Sequence, residues 1–135
     1  MNRQSYLLPL LLLGSITAHA HGGHVHEPAL EAPPHGGLLR DAGVFKSEVV
    51  MKGDLAKVYV YDRNLKPVTQ GPAQLKADFQ LPKEKKGKPI VFLKKDDHYE
   101  AVLPGVSRAH RFDMHVYIEL EGKKGTADFG VDNME

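Results

Sequence analysis

The chain lacks cysteine, long apolar runs and any excess of one charge. Without cysteine it has no disulfides, no thiolate metal ligands and no lipid-modified cysteine. The apolar run Leu7–Leu13 is far shorter than the roughly 20 residues that cross a bilayer as a helix. Basic and acidic residues number 18 and 17, so the charge balance argues against a nucleic-acid or anionic-membrane partner.

Residues 1–20 have the features of a secretory signal peptide. Arg3 supplies the positive charge, Leu7–Leu13 forms a short apolar region, and Ala18-His19-Ala20 fits the small-residue rule for cleavage. We therefore expect a mature chain that begins at His21 and that has no membrane span after cleavage. The expected location is the bacterial periplasm.

Residues 38–135 are predicted to form one β-domain. Apolar and polar residues alternate from Leu75 to Leu81 and from Phe112 to Leu120, which is typical of strands with one buried face. Turn residues separate about seven short strands, and no segment keeps a helical period. These features predict an all-β fold, a single antiparallel β-sandwich of immunoglobulin-like or open-barrel type. The expected strands are 44–51, 55–61, 75–81, 89–94, 99–103, 112–120 and 126–131.

Residues 21–37 are predicted to form a disordered arm, because they are rich in histidine, glycine and proline and contain few large apolar groups. Within this arm, His21, His24 and His26 fall within six residues. Imidazole nitrogen suits Cu(II), Ni(II) and Zn(II). A terminal His21 would add its free amine as a chelating group. The arm is therefore predicted to bind a divalent transition metal (Cu, Ni or Zn) through these residues, with His35 as an optional fourth ligand.

Other interpretations of the histidines remain open. Cleavage after Ala18 would expose His19-Ala20-His21, in which the third-position histidine and two amides can hold Cu(II) or Ni(II) in a square plane. The arm histidines could also be incidental to export. The segment His35-Gly36-Gly37 is equally consistent with a tight turn into the first strand.

Histidines in the β-domain are weaker candidates for a site. Strand parity predicts that Met114 lies in the core and that His115 points to the opposite face, beside Asp113. His98 is expected in a solvated loop. The sequence leaves open whether His98, His110 or His115 takes part in a site.

Four segments together resemble a family of small exported β-proteins that accompany heavy-metal efflux systems of the resistance–nodulation–division type. These are Pro34-His-Gly-Gly-Leu38, Glu48-Val-Val, Val58-Tyr-Val-Tyr-Asp62 and Lys66-Pro-Val68. Related segments occur in the periplasmic adaptor subunits of those pumps, and the likeness covers most of the mature chain. The resemblance implies a periplasmic location and a link to metal homeostasis, and it supplies no catalytic residues.

We therefore predict a non-enzymatic periplasmic accessory protein that binds a transition metal, either buffering it or delivering it to an efflux system. The expected partner is a periplasmic adaptor subunit of a metal efflux pump. No GxSxG, HExxH or phosphate-binding glycine loop is present. One alternative is an envelope protein-interaction module or efflux-adaptor-like domain whose arm is dispensable. Another is a copper oxidase or oxygenase built on the terminal histidine.

Overall fold

A computed structural model describes residues 31–68 and 74–133, and these residues form an all-β fold. The predicted signal peptide and His21, His24 and His26 lie outside the described residues, as do Gly71-Pro72, whose residue types favour a turn between the strands expected at 55–61 and 75–81. The described parts contain no α-helix and one short 3-10 helix at Val106–Arg108. The strands are β1 (Leu38–Ala42), β2 (Phe45–Lys52), β3 (Leu55–Asp62), β4 (Gln74–Gln80), β5 (Lys88–Ile90), β6 (Leu93–Lys94), β7 (Tyr99–Val102), β8 (Arg111–Leu120) and β9 (Lys123–Asp132).

The strands form two antiparallel sheets, as predicted for a β-sandwich. The first sheet has the order β1-β2-β3-β7-β6, and the second has the order β5-β4-β8-β9. Five antiparallel pairs join strands that are neighbours in sequence: β1–β2, β2–β3, β4–β5, β6–β7 and β8–β9. The chain passes from one sheet to the other after β3, β5 and β7, and β3 pairs with β7 while β4 pairs with β8.

The core lies between the two sheets and follows the alternation of the sequence. In β8, Phe112, Met114 and Val116 are buried, whereas Asp113 is exposed. The prediction that Met114 is a core residue is therefore confirmed. The first sheet contributes small and β-branched residues to the same core, which suit a pleated surface. These are chiefly Ala42, Val49, Ala56, Val58, Val60 and Ala101.

The structure differs from the expected strands in two places. Leu38–Ala42 forms the edge strand β1, although its burial does not alternate. The single strand expected at residues 89–94 is two short edge strands, β5 in the second sheet and β6 in the first. Val91 lies at this crossing and is 89% exposed. Pro89 fits β5 because an edge strand does not need every backbone N–H in its ladder.

Within the described ranges, no helix is both long and apolar enough to cross a membrane.

Candidate functional site

The outer face of the first sheet carries a buried polar cluster. Glu48 in β2 and Tyr59 in β3 are directly paired across the strands, and Tyr61 lies two residues further along β3. Their parity points them away from the core, yet Glu48 is 0% exposed and both tyrosines are buried. Two segments outside these strands supply His35 and His98 to this face. We call these five residues the Glu48 cluster.

Glu48 is the centre of the cluster and accepts hydrogen bonds from backbone and side chains. The backbone N–H groups of His35 and Gly37 donate to Oε2 at 3.0 and 2.9 Å. The Tyr61 hydroxyl donates to Oε1 at 2.7 Å, and Nδ1 of His35 lies 3.1 Å from the same oxygen. Burial alone would raise the pKa of Glu48, but the hydrogen bonds from Gly37, Tyr61 and His35 outweigh it and hold this pKa below its ordinary value.

A tight turn brings His35 to the carboxylate. The N–H of Gly36 donates to the carbonyl of Pro33 at 3.1 Å, and Gly36 has a φ of 73°, which favours glycine. At Gly37 a Cβ would lie 2.3 Å from the carbonyl oxygen of Val49, so no larger residue fits without movement. The turn interpretation of His35-Gly36-Gly37 is therefore confirmed. The backbone N–H groups of this turn hold the Glu48 carboxylate in place, and the carboxylate in turn holds the turn against the sheet.

The hydrogen-bond network determines where the His35 proton lies. Glu48 is a carboxylate and only accepts, and the single Tyr61 O–H donates to it. Nδ1 of His35 lies 2.7 Å from the Tyr61 oxygen, so this nitrogen must supply the proton between them. Neutral His35 therefore carries its proton on Nδ1 and its lone pair on Nε2. The His35 side chain is 38% exposed, and no described residue forms a hydrogen bond to Nε2.

Stacked rings cover the carboxylate. The imidazole of His35 lies parallel to the ring of Tyr59, with centroids 3.7 Å apart and planes inclined by 12°. Tyr61 lies parallel to Tyr59 at 6.3 Å. Burial first, and the Glu48 hydrogen bond second, raise the pKa of Tyr61, so its hydroxyl keeps its proton at any physiological pH. The rings hold His35 in one orientation.

His98 contacts Tyr59 with a centroid distance of 5.1 Å, and two carboxylates hold it. Its Nδ1 lies 2.5 Å from Asp97, and its Nε2 lies 2.9 Å from Glu100. Burial alone would lower the pKa of His98, but the bonds to Glu100 and Asp97 outweigh it and raise this pKa. The side chain is only 13% exposed, in contrast to the solvated loop expected from the sequence. With both nitrogens committed, His98 is poorly suited to ligate a metal.

The other histidines of the domain lie apart from the Glu48 cluster. His115 is on the outer face of the second sheet, where its Nδ1 contacts Asp128 of β9 at 2.6 Å. That hydrogen bond comes first among the causes that raise the pKa of His115. Asp128, rather than the sequence neighbour Asp113, is its partner, because the two face each other across the ladder. His110 is exposed.

Across residues 31–68 and 74–133, no group of three or more histidine and acidic side chains is arranged to hold a metal ion. Of the four predicted ligands, His35 is the one that the structure describes. Sequence reasoning missed Glu48 and Tyr61. Their strand parity places them on the solvent side, and only the turn before β1, which is distant in sequence, buries them.

Comparisons of the chain with models of protein families, with curated proteins and with solved structures find no match.

Proposed function

We propose that this protein is a periplasmic accessory protein that binds a divalent transition metal through His21, His24 and His26, with His35 as a fourth ligand. The observation that carries the proposal is the spacing of three imidazoles within six residues at the predicted mature terminus. Nitrogen ligands in this number suit Cu(II), Ni(II) and Zn(II). The lone pair on Nε2 of His35 supports its inclusion, whereas both ring nitrogens of His98 contact carboxylates.

The sequence predicts an arm without fixed structure, so metal binding would carry a cost in ordering entropy, and we expect moderate affinity and fast exchange. Such behaviour suits a buffer, or a carrier that gives up its metal to an efflux system. The partner in that case is a periplasmic adaptor subunit of a metal efflux pump. Catalysis is not part of the proposal, since it rests on a ligand set alone and the sequence offers no nucleophile or catalytic motif beside it.

Two measurements on the exported protein test this function. Intact mass should show loss of residues 1–20, because the amine of His21 is a ligand only when it is free. Calorimetric titration with Cu(II), Ni(II) and Zn(II) should then give saturable binding for the parent. The variant with alanine at His21, His24 and His26 should lose most of the affinity. A retained leader, or equal binding by this variant, would contradict the proposal.

A second candidate function is an envelope interaction module that does not need the arm. It is favoured by three exposed apolar side chains near the β6 edge, Val91, Leu93 and Val102, which are 89%, 62% and 67% exposed. An exposed strand edge can recruit a partner strand. Deletion of residues 21–34 separates the two functions. Loss of metal binding with unchanged capture of a purified adaptor subunit would favour the module.

A further inference from the structure

We propose that Glu48 is a positioning residue for metal binding: it sets the tautomer of His35 so that Nε2 is the nitrogen offered to the ion. That a metal binds at all rests on the proposed function. The tautomer of His35 depends only on residues that the structure describes. A histidine that ligates a metal commonly donates its other ring N–H to a carboxylate, which fixes the tautomer and raises the basicity of the ligand. The geometry of His35 and Glu48 fits this arrangement, with Nδ1 3.1 Å from Oε1.

The geometry leaves little freedom for the opposite tautomer. If Nε2 carried the proton, Nδ1 would present a lone pair to Glu48 Oε1 at 3.1 Å and to the Tyr61 oxygen at 2.7 Å. The Tyr61 proton could satisfy only one of these two acceptors. The buried Glu48 would then lose the Tyr61 hydroxyl or face an unprotonated nitrogen. The hydrogen bonds therefore run in one direction. Nδ1–H of His35 donates to the Tyr61 oxygen, and the Tyr61 hydroxyl donates to the Glu48 carboxylate.

The surroundings of His35 also suit a cation. The imidazole of His35 is stacked on the ring of Tyr59, and this contact restricts rotation of the His35 side chain. A positive charge at the position of the His35 ring would lower the pKa of Asp97, so the Asp97 carboxylate lies within electrostatic reach of this site. Glu48 places a second negative charge behind the ring. A metal ion at Nε2 would meet a pre-oriented ligand with two carboxylates nearby, which reduces the ordering cost of that one ligand.

The alternative is a purely structural role, in which Glu48 only holds the turn before β1 and the His35 ring is one more hydrogen-bond donor. The two explanations predict the same stability effects but differ in the tautomer and in the metal affinity of chosen variants.

Glu48→Gln is the central variant because it can keep the packing while reversing the chain of donors. Its amide oxygen can accept from the backbone N–H groups of His35 and Gly37, and its amide nitrogen can donate to the Tyr61 oxygen. The Tyr61 O–H then donates to Nδ1 of His35. The ring proton therefore lies on Nε2, and Nε2 no longer has a lone pair to offer to a metal ion. Tyr61→Phe is the companion variant, since Nδ1 can still donate to Glu48 and the tautomer should not change.

The experiment combines 15N NMR of the histidine rings with metal titration. In the metal-free parent and in Tyr61→Phe, His35 should show a protonated Nδ1. In Glu48→Gln it should show a protonated Nε2, and affinity for Zn(II) should fall by about 10- to 100-fold, the range typical when an outer-shell partner is lost. His35→Asn keeps a donor where Nδ1 stands and has no equivalent of Nε2, so its affinity for Zn(II) should fall to a similar extent.

Asp128→Asn is the matched control, because it removes the carboxylate partner of His115, an imidazole outside the proposed ligand set. Its Zn(II) affinity should equal that of the parent. A protonated Nε2 in the metal-free parent would overturn the inference, as would parental affinity in His35→Asn. If those variants bind normally while the arm variant does not, the inference fails and the proposed function stands. If the parent itself binds no metal, the proposed function fails, and with it the role of Nε2 as a ligand.

Discussion

Removal of the Glu48 carboxylate should destabilise the domain strongly. Glu48→Ala leaves the hydroxyl of Tyr61, a residue that is 1% exposed, without its acceptor, and it frees the two N–H groups of the turn before β1. A hydrogen bond to a charged group contributes about 1.5–3 kcal/mol, and a buried donor left without a partner costs about 1–3 kcal/mol. The turn is exposed, so its N–H groups can reach water. The buried Tyr61 hydroxyl therefore dominates the expected loss, which is about 3 kcal/mol.

Urea denaturation at pH 7 measures this loss as a fall in the transition midpoint with an unchanged slope. Glu119→Ala is the control, because Glu119 is an exposed carboxylate on β8, and exposed substitutions usually stay within about 0.5 kcal/mol. A loss below about 1 kcal/mol for Glu48→Ala would refute the reasoning, because buried bonds to a charged group are each worth more than that.

The same variant has a defined pH dependence. The pKa of Glu48 in the folded protein lies below its ordinary 4.5, so the carboxylate stabilises the fold at higher pH. This contribution is lost as the pH falls below 4.5 toward the folded-state pKa. The difference in unfolding free energy between the parent and Glu48→Ala should therefore shrink as the pH is lowered from 7 to about 3. A constant difference would mean that Glu48 is not ionised in the fold.

Three further outcomes are expected. Phe112→Ala should cost about 3–5 kcal/mol in a urea titration, because the ring is buried between the sheets, and an unchanged midpoint would contradict the packing. The pKa of His98 is raised above 6.5, so its contribution is full below that pH and is lost as the pH rises through the folded-state pKa. The destabilisation in His98→Gln should accordingly be larger at pH 6 than at pH 9, and the reverse trend would show that burial prevails. Metal affinity should weaken as the pH falls from about 7.5 to 5.5, because protons compete for imidazoles with an unperturbed pKa of about 6.5. A calorimetric titration at both pH values checks this, and equal affinities would exclude imidazole ligands.

Local alternation predicted the fold well where one face of a strand is buried and the other is solvated. The β8 residues from Phe112 to Leu120 are the clearest case, since each residue lies on the expected side. β1 was missed because an edge strand of five residues with Arg40 and Asp41 in it shows no such alternation. The strand predicted at residues 89–94 is divided because a β-run carries no local signal of a change of sheet.

The Glu48 cluster was beyond the reach of strand parity. Glu48 lies on the outer face of β2, and outer-face residues are ordinarily solvated. Its burial depends on His35 and Gly37, which lie 13 and 11 residues earlier in the chain. His98 was missed for the same reason, because its partner Tyr59 lies far away in sequence. Contacts of this kind arise only once the sheet has formed.

The most direct test of the account is a Cu(II) titration that compares two triple-alanine variants of the mature protein. One variant lacks His21, His24 and His26, and the other lacks His98, His110 and His115. The account predicts that the first loses most of the affinity with the melting temperature of the metal-free domain unchanged, and that the second binds like the parent if it remains folded. Parental affinity in the first variant, together with loss of binding in a folded second variant, would place the site on the sandwich and contradict the account.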